Sequence, residues 1–230
     1  QRRRKDIEEW QDTTVFPQRM TNEITYKLSG EWGNFFDEVR LYCRDIAQNA
    51  EKEHGEKSSI MWYATLALLR CVSSSPAAAR SALTTRLNGR LEELQQDAVD
   101  SNSDRESIED KIDDQFDGSG EEFVSDDSDP VLSLDESEKL KSLIAKAEAL
   151  SGTEGDPKLN ALVTGLAALL KRKDEVVRPI VFCRYIATAE YVTDELRKQF
   201  PKNTVACVTG LLTPEEREEK IEVLSKEKQP

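Results

Sequence analysis

Residues 92–138 carry 19 Asp and Glu against two Lys and Arg, a local balance of −17 in a 230-residue chain whose total is −13. The remainder holds 30 basic and 26 acidic residues, close to +4, so the acidity belongs to one segment and not to the surface at large. A stretch with so much like charge and so few large apolar side chains cannot offset its ordering entropy by burial. The sequence therefore predicts a flexible acidic linker or insertion over 92–138 that divides the chain. Two sharper readings stand beside it. Asp113, Gln115, Asp117 and Gly118 fall at positions one, three, five and six of an EF-hand-like loop, but position twelve is Val124 where calcium needs a bidentate Glu. The stretch could also mimic nucleic acid and compete for a basic groove.

Other features exclude whole classes. With 37% hydrophobic residues the chain can build a modest core, yet no apolar run approaches the ~18 residues of a transmembrane span, so no membrane partner is expected. The start, Gln1-Arg2-Arg3-Arg4-Lys5-Asp6, is basic with no apolar run behind it, which is not a secretory signal, and the missing initiator Met points to a beginning inside a larger protein. Cys43, Cys71, Cys183 and Cys207 are scattered singly, without a C-x-x-C pair, and read as small apolar residues in a reducing, cytoplasmic setting. His54 is the only histidine, so neither a His-rich metal centre nor triad catalysis is expected. No catalytic and no metal-ligating residue is assigned.

Periodicity gives the elements. Residues 23–28 alternate with period two and predict a short strand, whereas Trp32, Phe35, Phe36, Val39, Tyr42, Cys43 and Ile46 recur at helical steps and predict an amphipathic helix over 31–53. A second helix is expected over 59–72, and Ser75-Pro76 opens a third through Leu83 and Leu87. Beyond the acidic segment, 136–150 is helical, Asp156-Pro157 starts a helix over 158–171, 188–200 is helical, and Thr213-Pro214-Glu215-Glu216 has a capping-box pattern. The apolar runs 179–183 and 204–208 predict strands buried on both faces. Strand, helix, strand, helix at this spacing is a β-α-β unit. The expected fold class is therefore α/β: a partial parallel sheet preceded by an α-helical region.

The residues that carry this unit resemble the Swi/Snf-type branch of superfamily-two helicases and translocases. Asp156-Pro157-Lys158-Leu159 with Leu162 and Leu166 resembles the helix before the first strand of the second RecA-like domain. Pro179-Ile180-Val181-Phe182-Cys183-Arg184-Tyr185, continuing through Thr188-Ala189-Glu190-Tyr191, resembles helicase motif IV. Thr209-Gly210 followed by Glu215-Glu216-Arg217 and Ile221 resembles the next motif, and Arg2-Arg3-Arg4-Lys5-Asp6-Ile7, Phe16-Pro17-Gln18-Arg19 and Tyr26-Lys27-Leu28-Ser29 resemble the segment after the first such domain. Ser73-Ser74-Ser75-Pro76 through Ala79, with Arg86-Leu87, is similar to a helical insertion in bacterial RNA-polymerase-recycling ATPases and phage-defence helicases.

The resemblance implies a fragment: a connector over 1–29, a helical insertion over 30–91, the acidic linker over 92–138, helices over 139–176 and the start of a second RecA-like domain over 177–230. It implies ATP and magnesium in the parent protein, an ATP hydrolase. This chain holds neither a G-x-x-x-x-G-K-[ST] loop nor a D-E-x-[DH] box and is expected to be inactive alone. It implies nucleic-acid contacts by Arg184, Tyr185, Thr209 and Gly210, with double-stranded DNA as the expected track and protein partners at the helical insertion. Arg217 is read as pairing with Glu218 or Glu222, and Arg80, Arg86 and Arg90 as a solvated helix face. Trp10, Trp32 and Trp62, with Phe35 and Phe36, are read as core. The competing class is a non-enzymatic helical interaction module with an acidic regulatory segment.

Overall fold

The computed structural model describes residues 21, 23–27, 29–50, 56–88, 134–171 and 177–226. These form seven helices: α1 (Gly30–Ala50), α2 (Glu56–Ser74), α3 (Pro76–Leu87), α4 (Leu134–Ala149), α5 (Pro157–Leu170), α6 (Ile186–Gln199) and α7 (Pro214–Lys226). The expectations at His54, over most of the acidic segment including the calcium-loop positions, and at Trp10 and Arg90 lie outside the described residues.

Helices α1 to α4 make one core because their apolar stripes face inward together. Trp32, Phe35, Val39, Tyr42 and Cys43 of α1 meet Ala64, Ala67, Leu68, Cys71 and Val72 of α2, and Leu140, Leu143 and Ala147 of α4. Through the middle runs α3, whose inward positions are Ala78, Ala79, Ala82 and Leu83. Small side chains let it approach α2, α4 and α6 closely. Trp32 meets the Phe35 ring edge-on at 6.4 Å between centroids. Trp62 departs from the core expectation, being 53% exposed on α2. The register of α4 against α1 is antiparallel and is marked at the surface by Lys139 with Asp45 and Lys146 with Glu38, seven residues apart on each helix.

Arg86 overturns the solvated-face expectation. Only 7% exposed, it donates from Nε to the Tyr42 hydroxyl at 3.3 Å and from its terminal nitrogen to Glu136 Oε1 at 3.1 Å, while Tyr42 donates to the same oxygen at 2.8 Å. A buried guanidinium needs such partners, because its desolvation is otherwise uncompensated. The three residues join α1, α3 and α4 where α3 ends and α4 begins. Arg80, by contrast, is on the surface and pairs with Glu148.

The expected sheet is not present. Among the described residues there is no strand: 23–27, 177–183 and 204–209 are extended or irregular without ladder partners. The apolar runs that predicted strands buried on both faces leave Ile180 77% and Phe182 92% exposed. The Val205 carbonyl accepts from both Nε and a terminal nitrogen of Arg197, and the Cys207 carbonyl accepts from Lys220. Cationic side chains thus take acceptors that a neighbouring strand would have used. The α/β fold class, with its partial parallel sheet, is corrected to an all-helical one with extended connections.

The turn from α4 to α5 is tight. Asp156 donates its N–H to the Gly152 carbonyl at 2.9 Å, and a Cβ at Gly155 would lie 2.4 Å from the Leu150 carbonyl oxygen.

Two outcomes follow for stability. Arg86→Ala should cost about 3 kcal/mol in urea unfolding, the lower end for breaking a buried pair, because the Glu136 side chain stays 27% exposed. Since Arg86 and Glu136 hold the two ends of the intervening segment together, replacing residues 92–131 by a short Gly-Ser bridge should leave the helical circular dichroism intact. Shorter loop closure should hold stability level or raise it by about 1–2 kcal/mol.

Candidate nucleic-acid interface

The four residues expected to contact a track lie at the ends of the two extended segments, but not in one environment. Arg184 and Tyr185 immediately precede α6, and Tyr185 is its N-cap residue without a side-chain capping bond. Tyr185 is 3% exposed and belongs to the core of the helical bundle. Arg184 is on the surface with its guanidinium 5.8 Å from the centroid of that ring. The buried ring is thereby a platform under an exposed cation. Thr209 is half-buried and Gly210 exposed, at the end of the second segment.

Gly210 has no need of its glycine locally, because a Cβ there would meet nothing within 4 Å. Its carbonyl accepts from Arg217 at 3.0 Å, and Arg217 Nε donates to the Leu212 carbonyl at 2.9 Å. The expected Arg217 pairing with Glu218 or Glu222 is replaced by this clasp on the loop before α7. The capping box is formed as the pattern predicted: Thr213 N–H donates to Glu216 at 2.8 Å, and Glu216 N–H to the Thr213 hydroxyl at 3.3 Å.

What fixes α6 was not singled out from the sequence. Thr188 Oγ1 shares hydrogen bonds with Ser75 Oγ at 2.8 Å and Ser74 Oγ at 2.9 Å, tying the first turn of α6 to the α2–α3 joint. Lys158, in the first turn of α5, donates to the Ser73 and Ser74 carbonyls at 3.2 and 3.3 Å, and its ammonium lies 5.7 Å from the Tyr26 ring centroid. The only available signal for these was Ser75-Pro76 and Asp156-Pro157 as helix starts; the partner of a hydroxyl 113 residues away has no local signature.

Asp156 anchors the other side. Its Oδ1 accepts the Lys158 and Leu159 N–H groups at 2.9 and 3.0 Å, and its Oδ2 accepts the Tyr191 hydroxyl at 3.3 Å, while that hydroxyl accepts from Gly152 N–H at 3.0 Å. Burial raises the carboxyl above its usual range, against the opposing effect of the two backbone N–H groups, Tyr191 and Lys158. Burial likewise raises the Tyr191 hydroxyl. The arrangement is a helix cap that also positions α6, and its chemistry is structural.

Comparison with family models, curated proteins and solved structures finds no match for the chain.

Asp156→Ala should cost about 1–2 kcal/mol by thermal or urea unfolding, and Asp156→Asn, which keeps an acceptor for the cap, distinctly less. Because the folded carboxyl holds its proton more tightly than the unfolded one, its contribution grows as pH falls through the folded value and is lost as pH rises. Urea unfolding at pH 7 and pH 4 should therefore show wild type gaining on Asp156→Asn at the lower pH, the opposite sign to a salt-bridged carboxylate.

Proposed function

We propose that this chain is a segment of an ATP-dependent, Swi/Snf-like nucleic-acid translocase or helicase. It supplies backbone contacts to the track through Arg184, Thr209 and Gly210, and a helical protrusion built from α1 to α4. The observation that carries the reading is Arg184: a surface guanidinium set over a buried ring at the start of a 14-residue helix that has no side-chain cap. A helix N-terminus and an adjacent cation together favour phosphate. Tyr185 supports Arg184 from below and is not itself a track contact. The order of the motif-like residues over 156–191 and 209–221 supports the same reading.

ATP and magnesium are assigned to the parent protein. The chain has no phosphate-cradling loop, and among the described residues no group of three or more His, Cys, Asp or Glu is placed to hold a metal. Double-stranded DNA is the proposed track, and the cytoplasm the proposed location. Among the described residues no helix is long and apolar enough to cross a membrane.

A second reading, the helical interaction module, is favoured by one observation: α1 to α4 supply nearly all of the core, joined by Tyr185, and leave Trp62 53% exposed. Duplex DNA titrated against the chain in fluorescence anisotropy separates the two. Under the translocase reading, Arg184→Ala lowers affinity about 10-fold, the loss of one charge-assisted contact, and reduces the salt slope by about one. Arg80→Ala, which removes a surface pair with Glu148, leaves both unchanged. Equal affinity and slope for Arg184→Ala would sink the assignment, and absent binding would favour the module.

A further inference from the structure

The two extended segments that flank α6 use their backbones differently. In 204–209 the carbonyls of Val205 and Cys207 are taken by the Arg197 and Lys220 side chains. In 177–183, among the described residues, Ile180, Val181 and Phe182 form no backbone hydrogen bond. This open segment also carries the most exposed large apolar side chains of the described residues, Ile180 and Phe182. They are two residues apart and so share one side of an extended chain, while Val181, on the other side, is 39% exposed. Helix α7 lies alongside, since Lys220 reaches the Cys207 carbonyl and Arg178 donates to the Ser225 carbonyl at 3.3 Å. It has no buried residue and leaves Ile221 and Val223 more than half exposed. Apolar edges of this kind are normally blunted by cationic side chains or covered, and here 204–209 is blunted whereas 177–183 is not.

We propose that 179–183 is an edge that takes an extended peptide of a protein partner, apolar at alternate positions and acidic at both ends. Main-chain hydrogen bonds to the open backbone supply affinity, and contact with Ile180 and Phe182 selects the apolar positions. Charge selects the ends. Arg178 and Arg184 are both on the surface, one directly before the apolar run and one directly after it, six residues apart. Carboxylates six residues apart on an added strand would stand opposite them. The same arginines disfavour a second copy of this chain as the occupant. An antiparallel pair centred on Val181 sets Arg178 of each copy against Arg184 of the other, and a parallel pair in register sets each arginine against its equivalent. A phosphate backbone would engage the arginines but leave Ile180 and Phe182 in water. The inference does not rest on the translocase reading, although both use Arg184.

The test uses the whole chain and two fluorescent heptapeptides with blocked termini, Glu-Val-Thr-Val-Thr-Val-Asp and the same core with Lys at both ends. In anisotropy titrations the acidic-ended peptide should bind and the lysine-ended one bind at least about 10-fold more weakly, because it sets like charges together. Raising the salt should narrow the difference. Ile180→Ser and Phe182→Ser, at positions outside the core, should each weaken the acidic peptide about 5-fold or more while the helical circular dichroism is unchanged. Hydrogen exchange should slow over 180–183 when the acidic peptide is added, and stay as it was over 204–208. Equal binding of the two peptides, or slowed exchange over 204–208 instead, would overturn the proposal. So would protection of 180–183 in the chain without peptide: rising with protein concentration it means a second copy, and independent of concentration it means the chain's own residues. No DNA is present, so failure here leaves the translocase reading to its own titration.

Discussion

The Ser75 hydroxyl holds the architecture at its narrowest point. Ser75 is the single residue between α2 and α3, 1% exposed, and its Oγ accepts the Ala78 N–H that opens α3 at 3.0 Å. The same oxygen shares a hydrogen bond with Thr188 on α6. One hydroxyl has a donor and two acceptor sites, so it can serve the cap and the inter-helix bond at once. Lys158 covers the carbonyls of the preceding two residues, so four helices meet at this joint. Leaving such a buried group unpaired costs about 1–3 kcal/mol, a large share of the stability of a small helical unit.

Around that joint, polar groups fix direction and apolar groups supply the driving force. The central helix α3 contributes mostly alanine to the core, which brings backbones close but buries little area of its own. The larger burial comes from Trp32, Phe35, Val39, Leu83 and Leu140. Arg86 and Tyr42 sit at the edge of this core with Glu136. Burial raises the Tyr42 hydroxyl despite the nearby guanidinium, so it stays protonated and donates to the carboxylate.

Much of the helical part was legible in the sequence, because the information is local. Trp32 to Ile46 at three- and four-residue steps, Ser75-Pro76, Asp156-Pro157 and the Thr213–Glu216 box each carry their own start signal or stripe, and the helices lie there. The apolar runs 179–183 and 204–208 misled because an apolar run states only that burial is favourable. A strand also requires a neighbour to accept and donate across the ladder, and among the described residues none does. Arg86 was misread for a related reason: a charged side chain looks solvated until its partner, here Glu136 50 residues away, is known. At the candidate interface the sequence singled out Arg184, Tyr185, Thr209 and Gly210 as expected contacts, but it carries no signal for the Thr188–Ser75 bond or the Asp156–Tyr191 bond that orient α6.

The two surface pairs between α1 and α4 add little energy, since exposed ion pairs contribute about 0–1 kcal/mol each. Their shared seven-residue step gives them a different use. Sliding α4 by one turn in one direction would set Lys139 against Leu41 and Lys146 against Asn34, forfeiting both attractions together while the apolar stripe could still find partners. The pairs therefore act as a vernier: they discriminate among alignments of nearly equal hydrophobic content, and would do so most sharply at low ionic strength, where misaligned intermediates have the least screening to hide behind.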